Sequence, residues 1–363
     1  MRGMLAALTL SAMASLASLA SLASIAEAAA GDRIDERLQT VRQQDWNVEV
    51  VNDELNYPWD MEAAGDQLVI TEAAGNIVIM HQGQLQRYAI TTSDPIVNEG
   101  GGGLMGMALA KDFSQSGNAW LYHTYRSSSG LTNKIIQAHF DGKQWQETKV
   151  ILSGIPGHRL YNGGRIAIGP DGYLYATTGW TENEDHPQDI QSLAGKVLRM
   201  TLDGKVPRDN PIAGSLVYSW GHRNPQGLAW NKRGELFATE HGQIAHDEVN
   251  IIKPSSNYGW PVIQGDEKRA GMVAAWLNSG SQTWAPSGTT FAGENLLVAA
   301  LGAKGLYVFD DKQKKLRQVF SSGERLRDVY ATPNAIYVIT TNRSPRSEGP
   351  SADRLLKLTL KKT

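Results

Sequence analysis

Three arginines lie at positions where they could bind an anionic ligand together. Arg223 belongs to the segment SWGHRNPQGLAW (219–230), and Arg325 and Arg327 belong to RLRDV (325–329). A guanidinium stays charged and can bind a carboxylate through two parallel hydrogen bonds. Since side chains two residues apart on a strand share a face, Arg325 and Arg327 should point to one site. An isolated arginine on a β loop is more often solvated or ion-paired, so only the combination indicates a binding site.

Two other polar segments could contribute to such a site, namely TEHGQIAHDEVNIIKPSSNYGWP (239–261) and NGGRIAIGPDGYLYATTG (162–179). Their glycines and prolines are ordinary turn residues in most proteins. The eight histidines show no zinc spacing, and the chain has no cysteine to complete a zinc site. No glycine-rich loop both follows a strand and opens a helix, which argues against a nicotinamide or flavin site.

The segments around these loops predict strands. Runs such as DQLVITEAAGNIVIM, GYLYATTG, GELFATEHG and NAIYVITTN alternate with a period of two and end in Gly, Asp or Asn. Similar runs recur at intervals of about forty to fifty residues, which is typical of the blades of a β-propeller. The sequence therefore predicts an all-β fold, with one propeller domain at residues 48–363 whose C-terminal strand closes the ring.

The first thirty residues predict a signal peptide. Arg2 gives a short positive start, residues 4–23 are mainly Leu, Ala, Met and Ser, and Ala-Glu-Ala at 26–28 has the small-x-small form of a cleavage site. A membrane anchor is the alternative, but the run is weakly hydrophobic and no stop-transfer signal follows it. We expect residues 1–30 to be removed and residues 31–47 to form an N-terminal lead-in. The mature protein would then be secreted or periplasmic, with no stable membrane insertion.

The net charge and the cysteine content limit which partners and which covalent modifications the sequence allows. The formal net charge is -2 and no basic stripe is present, so we expect no nucleic-acid partner. The absence of cysteine excludes a lipid-anchored N-terminus and disulfides. An exported chain of this kind must be stable through packing alone.

The order of the motifs resembles that of the quinoprotein (PQQ-dependent) soluble glucose/sorbosone dehydrogenases. GHRNPQGL, EHG, DE-x-N and NYGWP follow one another in that family's order, and NYPWD near Trp59, GGLMGMALAKDF from Gly102 and TTN…DRLLKL near the end keep it. The resemblance covers nearly all of the mature chain. It implies a six-bladed β-propeller that binds PQQ and calcium, oxidises an aldose sugar and passes electrons to an external acceptor.

The resemblance also implies which residues bind the cofactor. Arg223, Arg325 and Arg327 would hold the three carboxylates of PQQ, Asn224 would offer its amide to a quinone oxygen, and His241 would border the cofactor. Arg223 and a calcium ion would stabilise negative charge on the quinone oxygen during the reaction.

For calcium, the resemblance implies two sets of oxygen ligands. Backbone oxygens of the turn His241-Gly242-Gln243 would hold the ion that polarises the quinone. A second, structural ion would be bound by Glu248 and the backbone around Tyr258, with Asp247 beside it.

Several positions of the family pattern are changed in this chain. The catalytic histidine just before GGR is replaced by Tyr161, and a phenol that titrates near pH 10 is a poor base at neutral pH. His158 lies three residues upstream and could replace it only in a rearranged loop. The other changes are Gly101 for a Gln or Glu (with Glu99 nearby), Gly302 for a Lys or Arg (with Lys304 nearby), Gln243 for a proline, and Trp180 after Thr178-Gly179.

Three functions remain open at this point. The first is an exported PQQ- and calcium-dependent sugar dehydrogenase with Tyr161 and Arg223 at the catalytic positions. The second is a non-catalytic or vestigial propeller that binds a carbohydrate or a protein partner on the same face. The third is a calcium-dependent lactonase, which would need a cluster of acidic side chains in the central channel that the sequence does not indicate.

Overall fold

A computed structural model describes residues 33–362. The predicted signal peptide, residues 1–30, lies outside the described residues. Within that range the regular structure is almost entirely β, which confirms the predicted all-β class. The helical elements described are α1 (Ile34–Arg37), a 3-10 helix (Gln43–Asp45) and α2 (Phe113–Ser116). No helix of the described range is long and apolar enough to cross a membrane.

Most strands form antiparallel units of four. The first strand of the chain, which joins the last unit, is β1 (Trp46–Leu55). The first unit contains β2 (Pro58–Ala64), β3 (Gln67–Glu72), β4 (Asn76–His81) and β5 (Gln84–Thr91). The second contains β6 (Leu104–Leu109), β7 (Asn118–Ser127), β8 (Gly130–Phe140) and β9 (Trp145–Pro156). A short parallel pairing of β5 with β9 joins these two units into one eight-stranded sheet.

The remaining strands form four further sheets. One contains β10 (Ile166–Ile168), β11 (Leu174–Thr177), β12 (Lys196–Met200) and β13 (Val217–Trp220), with the short β17 (Ser256–Asn257) at its edge. The next contains β14 (Pro225–Trp230), β15 (Leu236–Glu240), β16 (Glu248–Ile252) and β18 (Leu277–Asn278). The third contains β19 (Pro286–Ala292), β20 (Asn295–Ala300), β21 (Gly305–Asp310) and β22 (Lys315–Phe320). The last contains β23 (Leu326–Ala331), β24 (Ile336–Thr340) and β25 (Asp353–Leu360), with β1 beside β25.

The two ends of the chain meet in that last sheet. β25 pairs antiparallel with β24 on one side and with β1 on the other, from Trp46 opposite Leu360 to Leu55 opposite Asp353. The Trp46 indole also donates a hydrogen bond of 2.9 Å to the carbonyl of Val319 in the preceding sheet. The N-terminal strand therefore covers an edge of β25 that would otherwise be free to pair with another chain.

The first strand of each unit packs against its counterparts in neighbouring units, as β2 does with β6 and β23, and β19 with β14 and β23. These inner strands approach each other closely. A Cβ atom at Gly106 would overlap the carbonyl of Gly164, and one at Gly227 would overlap the carbonyl of Ser287. Small residues are therefore required where the inner strands meet.

A buried ion cluster links three of the inner strands. Arg165, just before β10, forms an ion pair with Asp60 of β2 and a second of 3.2 Å with Asp328 of β23. Its guanidinium also lies 4.5 Å from the ring centroid of Trp59. Because the ions are paired and hydrogen-bonded, they fix the relative positions of the strands that carry the candidate site.

Candidate functional site

A cavity of about 250 Å³ lies at the N-terminal ends of the inner strands. Five of the residues predicted from the sequence line it together, although they come from loops far apart in the chain. They are Tyr161, Asn224, His241, Arg325 and Arg327.

Arg327 is a buried cation in the wall of this cavity, with 4% of its surface exposed. Its Nη1 donates to Oε1 of Gln226 at 2.8 Å and to Oγ of Ser287 at 3.3 Å, while its Nε has no partner. Its guanidinium lies 5.4 Å from the ring centroid of Trp59. Burial lowers the pKa of Arg327 to about 10. A buried charge that lacks a counterion is costly, so this site favours an anionic ligand.

Arg325 lies one residue before β23 and lines the same cavity. Its Nε donates to the carbonyl of Thr341 at 3.1 Å, and burial lowers its pKa. Within the described residues neither Arg325 nor Arg327 forms an ion pair. The positive charge of Arg325 is one reason why the pKa of Arg327 falls. Two cations of one cavity thus lack a counterion among the described residues.

Asn224 and His241 form a polar pair on another wall. The Asn224 Oδ1 accepts a hydrogen bond of 3.0 Å from the amide of Gly163, and its Nδ2 lies 3.3 Å from Nδ1 of His241. Burial lowers the pKa of His241 to about 4, so its imidazole is neutral at pH 7. If the Asn224 amide donates to Nδ1, then Nε2 carries the proton, and this buried atom has no partner. The pair can therefore present a hydrogen-bond donor to a ligand.

Arg223 occupies a different position. It does not line the larger cavity but a smaller one that shares His241 with it. Its guanidinium carbon lies 4.6, 5.6 and 5.2 Å from the ring centroids of Tyr161, Trp180 and Trp260. Its Nη1 donates to the carbonyl of His241 at 3.2 Å, and burial lowers its pKa. Arg223 is thus held behind aromatic rings, apart from Arg325 and Arg327.

Tyr161 is the aromatic residue between Arg223 and His158. The rings of Tyr161 and His158 are stacked, with centroids 5.3 Å apart and planes only 4° from parallel. The His158 Nδ1 accepts a hydrogen bond of 3.1 Å from the Leu160 amide, and its Nε2 lies 3.4 Å from Oε2 of Glu182. Burial lowers the pKa of His158. Both imidazole nitrogens are therefore engaged, and it is Tyr161 rather than His158 that lines the cavity.

Two acids face each other beside the smaller cavity. Glu240 and Glu248 are direct cross-strand partners on β15 and β16, where like charges destabilise the pair. Burial and the charge of Glu240 raise the pKa of Glu248 to about 8. The amide oxygens of Asn250 and Gln264 are buried without partners. Glu240, Glu248 and Gln264 line the smaller cavity, and carboxylate and amide oxygens are the ligands that a hard cation such as calcium takes.

Of the other predicted metal-binding residues, some border the smaller cavity and some do not. Gly242 and Tyr258 border the smaller cavity together with Glu248. The Asp247 carboxylate instead accepts hydrogen bonds from three backbone amides, those of Gly242, Trp284 and Ala285 at 2.9, 2.6 and 2.8 Å. Gln243 is exposed. Within residues 33–362, no group of three or more His, Cys, Asp or Glu side chains has the arrangement of a metal site.

The changed family positions have distinct locations. Gly101 and Gly302 both line the larger cavity, where a side chain would reduce its volume. Glu99 instead forms an ion pair of 2.8 Å with Arg126 at the surface. Lys304 is exposed and does not line the cavity.

Several residues of the site were not singled out from the sequence. Trp59, Gln226 and Ser287 hold Arg327, and Arg346 lines the cavity from a loop between β24 and β25. The motifs NYPWD and GHRNPQGL contain Trp59 and Gln226, which is the only signal that could have found them. Ser287 and Arg346 lie in segments with no distinguishing pattern.

Comparison with known proteins gives a family match over most of the chain. A family model described as Glucose / Sorbosone dehydrogenase matches residues 55–347. Aldose sugar dehydrogenase YliI of Escherichia coli (strain K12) is 28% identical over 336 residues, which are 82% of this chain and 91% of that protein. Quinoprotein glucose dehydrogenase B of Acinetobacter calcoaceticus is 30% identical over 268 residues, 64% of this chain and 56% of that protein.

A solved structure supports the same relationship. The PQQ-bound form of aldose sugar dehydrogenase from Streptomyces coelicolor is 33% identical, with a TM-score of 0.79. The match covers 87% of this chain and 98% of that one. These matches confirm the resemblance that the motif order indicated.

Proposed function

Because this chain belongs to the glucose/sorbosone dehydrogenase family, we propose that it is an exported sugar dehydrogenase. It would use PQQ and calcium to oxidise an aldose and pass the electrons to an external acceptor. In this proposal the four-stranded units are the six blades of a propeller, with β1 completing the last blade. The cavity at the N-terminal ends of the inner strands is the cofactor and substrate site.

The observation that carries the proposal is the pair Arg325 and Arg327. Both guanidinium groups border one cavity, and neither forms an ion pair with a described residue. A ligand with several carboxylates would supply the missing counterions through charge-assisted hydrogen bonds. PQQ is such a ligand, and when bound it supplies an ortho-quinone that accepts the electrons of sugar oxidation.

Other residues of the cavity would orient the ligand. Asn224 and the protonated Nε2 of His241 can donate hydrogen bonds to carbonyl oxygens, and Trp59 and Tyr161 give the cavity wall aromatic surface. Tyr161 takes the position of the proton acceptor from the sugar hydroxyl. Arg223 lies directly behind its ring and adds positive charge to this side of the site.

Calcium would bind at the smaller cavity. Glu248 and the unpartnered amide oxygen of Gln264 would provide side-chain ligands, and Gly242 its backbone oxygen. A divalent cation there would relieve the repulsion between Glu240 and Glu248. Asp247 would act indirectly, because its hydrogen bonds to three backbone amides fix the loop that contains Gly242.

One observation favours a second function, a binding protein without efficient catalysis. The base position holds a phenol, and both nitrogens of the neighbouring His158 are already engaged. Loss of a general base costs roughly a hundred- to ten-thousand-fold in rate. Such a protein would retain cofactor or carbohydrate binding in the same cavity.

A two-part experiment tests the proposal. PQQ is titrated calorimetrically into the mature protein with and without calcium, and the loaded protein is then assayed for dye reduction with a panel of aldoses. We expect calcium-dependent binding and sugar-dependent dye reduction. Binding without dye reduction would favour the second function, and absence of binding would contradict the quinoprotein assignment.

A further inference from the structure

The loop between β24 and β25 brings another arginine to the larger cavity. Arg346 lines this cavity together with Arg325 and Arg327. Its backbone amide donates to Oγ of Ser344 at 3.2 Å, and its side chain is exposed, with no ion pair to any residue in the described range. We infer that Arg346 is the third arginine that binds a carboxylate of the cofactor. This inference rests on the proposed PQQ-binding function.

The comparison with Arg223 supports this assignment. The Arg223 guanidinium is enclosed by the rings of Tyr161, Trp180 and Trp260, and its Nη1 bonds to a backbone carbonyl. It therefore faces the smaller cavity and the back of Tyr161. Arg346 has no such enclosure, and its long side chain can adjust to a ligand in the larger cavity.

The base of the loop is fixed, whereas the Arg346 side chain has no partner in the part of the chain that the structure describes. The Arg343 guanidinium lies 3.8 Å from the ring centroid of Tyr57, and it donates to the Gly349 carbonyl at 2.7 Å and to Asn98 Oδ1 at 3.0 Å. These contacts tie the loop to two other parts of the chain. Arg343 therefore stabilises the loop, and Arg346 is the cation of this loop that lines the cavity.

The two kinds of arginine should respond differently to salt. Arg327 is buried, so its attraction for a carboxylate is only weakly screened. Arg346 is exposed, and its contribution should decrease as ionic strength rises. The carboxylate that Arg346 binds could also belong to an acidic sugar substrate. Measuring PQQ binding in the absence of sugar distinguishes a cofactor carboxylate from a substrate carboxylate.

The test is calorimetric titration of PQQ into the full mature protein in calcium buffer, without sugar. We expect Arg346→Gln to weaken binding about tenfold at low salt and Arg346→Lys to recover part of the loss, since an ammonium cannot form the two-pronged contact. The deficit of Arg346→Gln should shrink at high salt, whereas that of Arg327→Gln should persist. Arg269→Gln, which removes an exposed arginine outside the cavity, is the matched control.

The outcomes separate this inference from the proposed function. If the parent protein and Arg346→Gln bind PQQ equally while Arg327→Gln does not, Arg346 is not a cofactor ligand and the proposed function stands. An unchanged PQQ affinity with a raised KM for an acidic sugar would assign Arg346 to the substrate and also overturn the inference. Absence of PQQ binding by the parent protein would overturn both.

Discussion

Arg223 stacks against Tyr161, with 4.6 Å between the guanidinium carbon and the centroid of the ring. Tyr161 also stacks on the parallel ring of His158, with the ring centroids 5.3 Å apart. The phenol ring of Tyr161 is therefore held in place by a cation and a neighbouring imidazole. This arrangement makes Tyr161 the residue whose substitution best separates catalysis from binding.

Substitutions of Tyr161 should change turnover, and Tyr161→Phe should also leave cofactor binding intact. Tyr161→Phe keeps the ring and its stacking but removes the proton acceptor, so we expect kcat to fall by roughly a hundredfold or more. Tyr161→His should raise kcat near pH 7, because imidazole titrates near 6.5 and a phenol near 10. Dye-reduction kinetics measure both effects, with Tyr88→Phe as a control far from the cavity. An unchanged kcat in Tyr161→Phe would exclude the phenol from the reaction.

The sequence predicted the strands because alternation and turn residues are local signals. It also predicted that Arg325 and Arg327 share a site, because side chains two residues apart on a single strand point to the same face. The enclosure of Arg223 was not predictable, because Trp180 and Trp260 reach it from separate loops. The separation of Asp247 from the other predicted metal ligands was not predictable either. Its carboxylate accepts hydrogen bonds from the amides of Trp284 and Ala285, which lie almost forty positions further along the chain.

Replacement of Arg327 should raise the stability of the cofactor-free protein but lower its affinity for PQQ. Its buried guanidinium has no counterion among residues 33–362, and burial lowers its pKa to about 10, so the charge costs folding free energy at pH 7. We expect Arg327→Met to stabilise the cofactor-free protein by about 1 kcal/mol or more, measured by urea unfolding. The same variant should lose PQQ affinity by roughly ten- to a hundredfold.

The alternative for Arg327 is a purely structural role. In that case Arg327→Met would unfold at a lower urea concentration, because Gln226 and Ser287 would lose a donor. Unchanged PQQ affinity in a stable variant would remove Arg327 from the cofactor site.

The N-terminal segment gives an independent prediction about export. Cleavage after the Ala-Glu-Ala segment should produce a mature protein that starts between Ala29 and Gly31. N-terminal sequencing of protein recovered from the periplasm or medium of its host measures this directly. Recovery of a chain that retains Met1 in the membrane fraction would contradict export as a soluble protein.

The pKa of Glu248 predicts a stability that depends on both pH and calcium. Burial and Glu240 raise this pKa from 4.5 to about 8, so the folded protein binds the Glu248 proton more tightly than the unfolded chain does. Without calcium, stability should therefore fall as pH rises from about 4.5 to about 8, by on the order of a few kcal/mol, and then level off. Calcium that binds only the folded state would stabilise the charged carboxylate, so it should restore stability most strongly above pH 8.

Thermal melts in excess calcium and in excess chelator across this pH range measure both effects. Glu248→Gln should remove most of the pH slope and most of the calcium response, because the amide neither titrates nor carries the charge that the cation neutralises. The exposed Glu184→Gln is the matched control and should behave like the parent protein. Equal melting temperatures of the parent in calcium and in chelator at pH 8.5 would remove calcium from this site. A parent whose stability rises between pH 5 and pH 8 in chelator would contradict the raised pKa of Glu248.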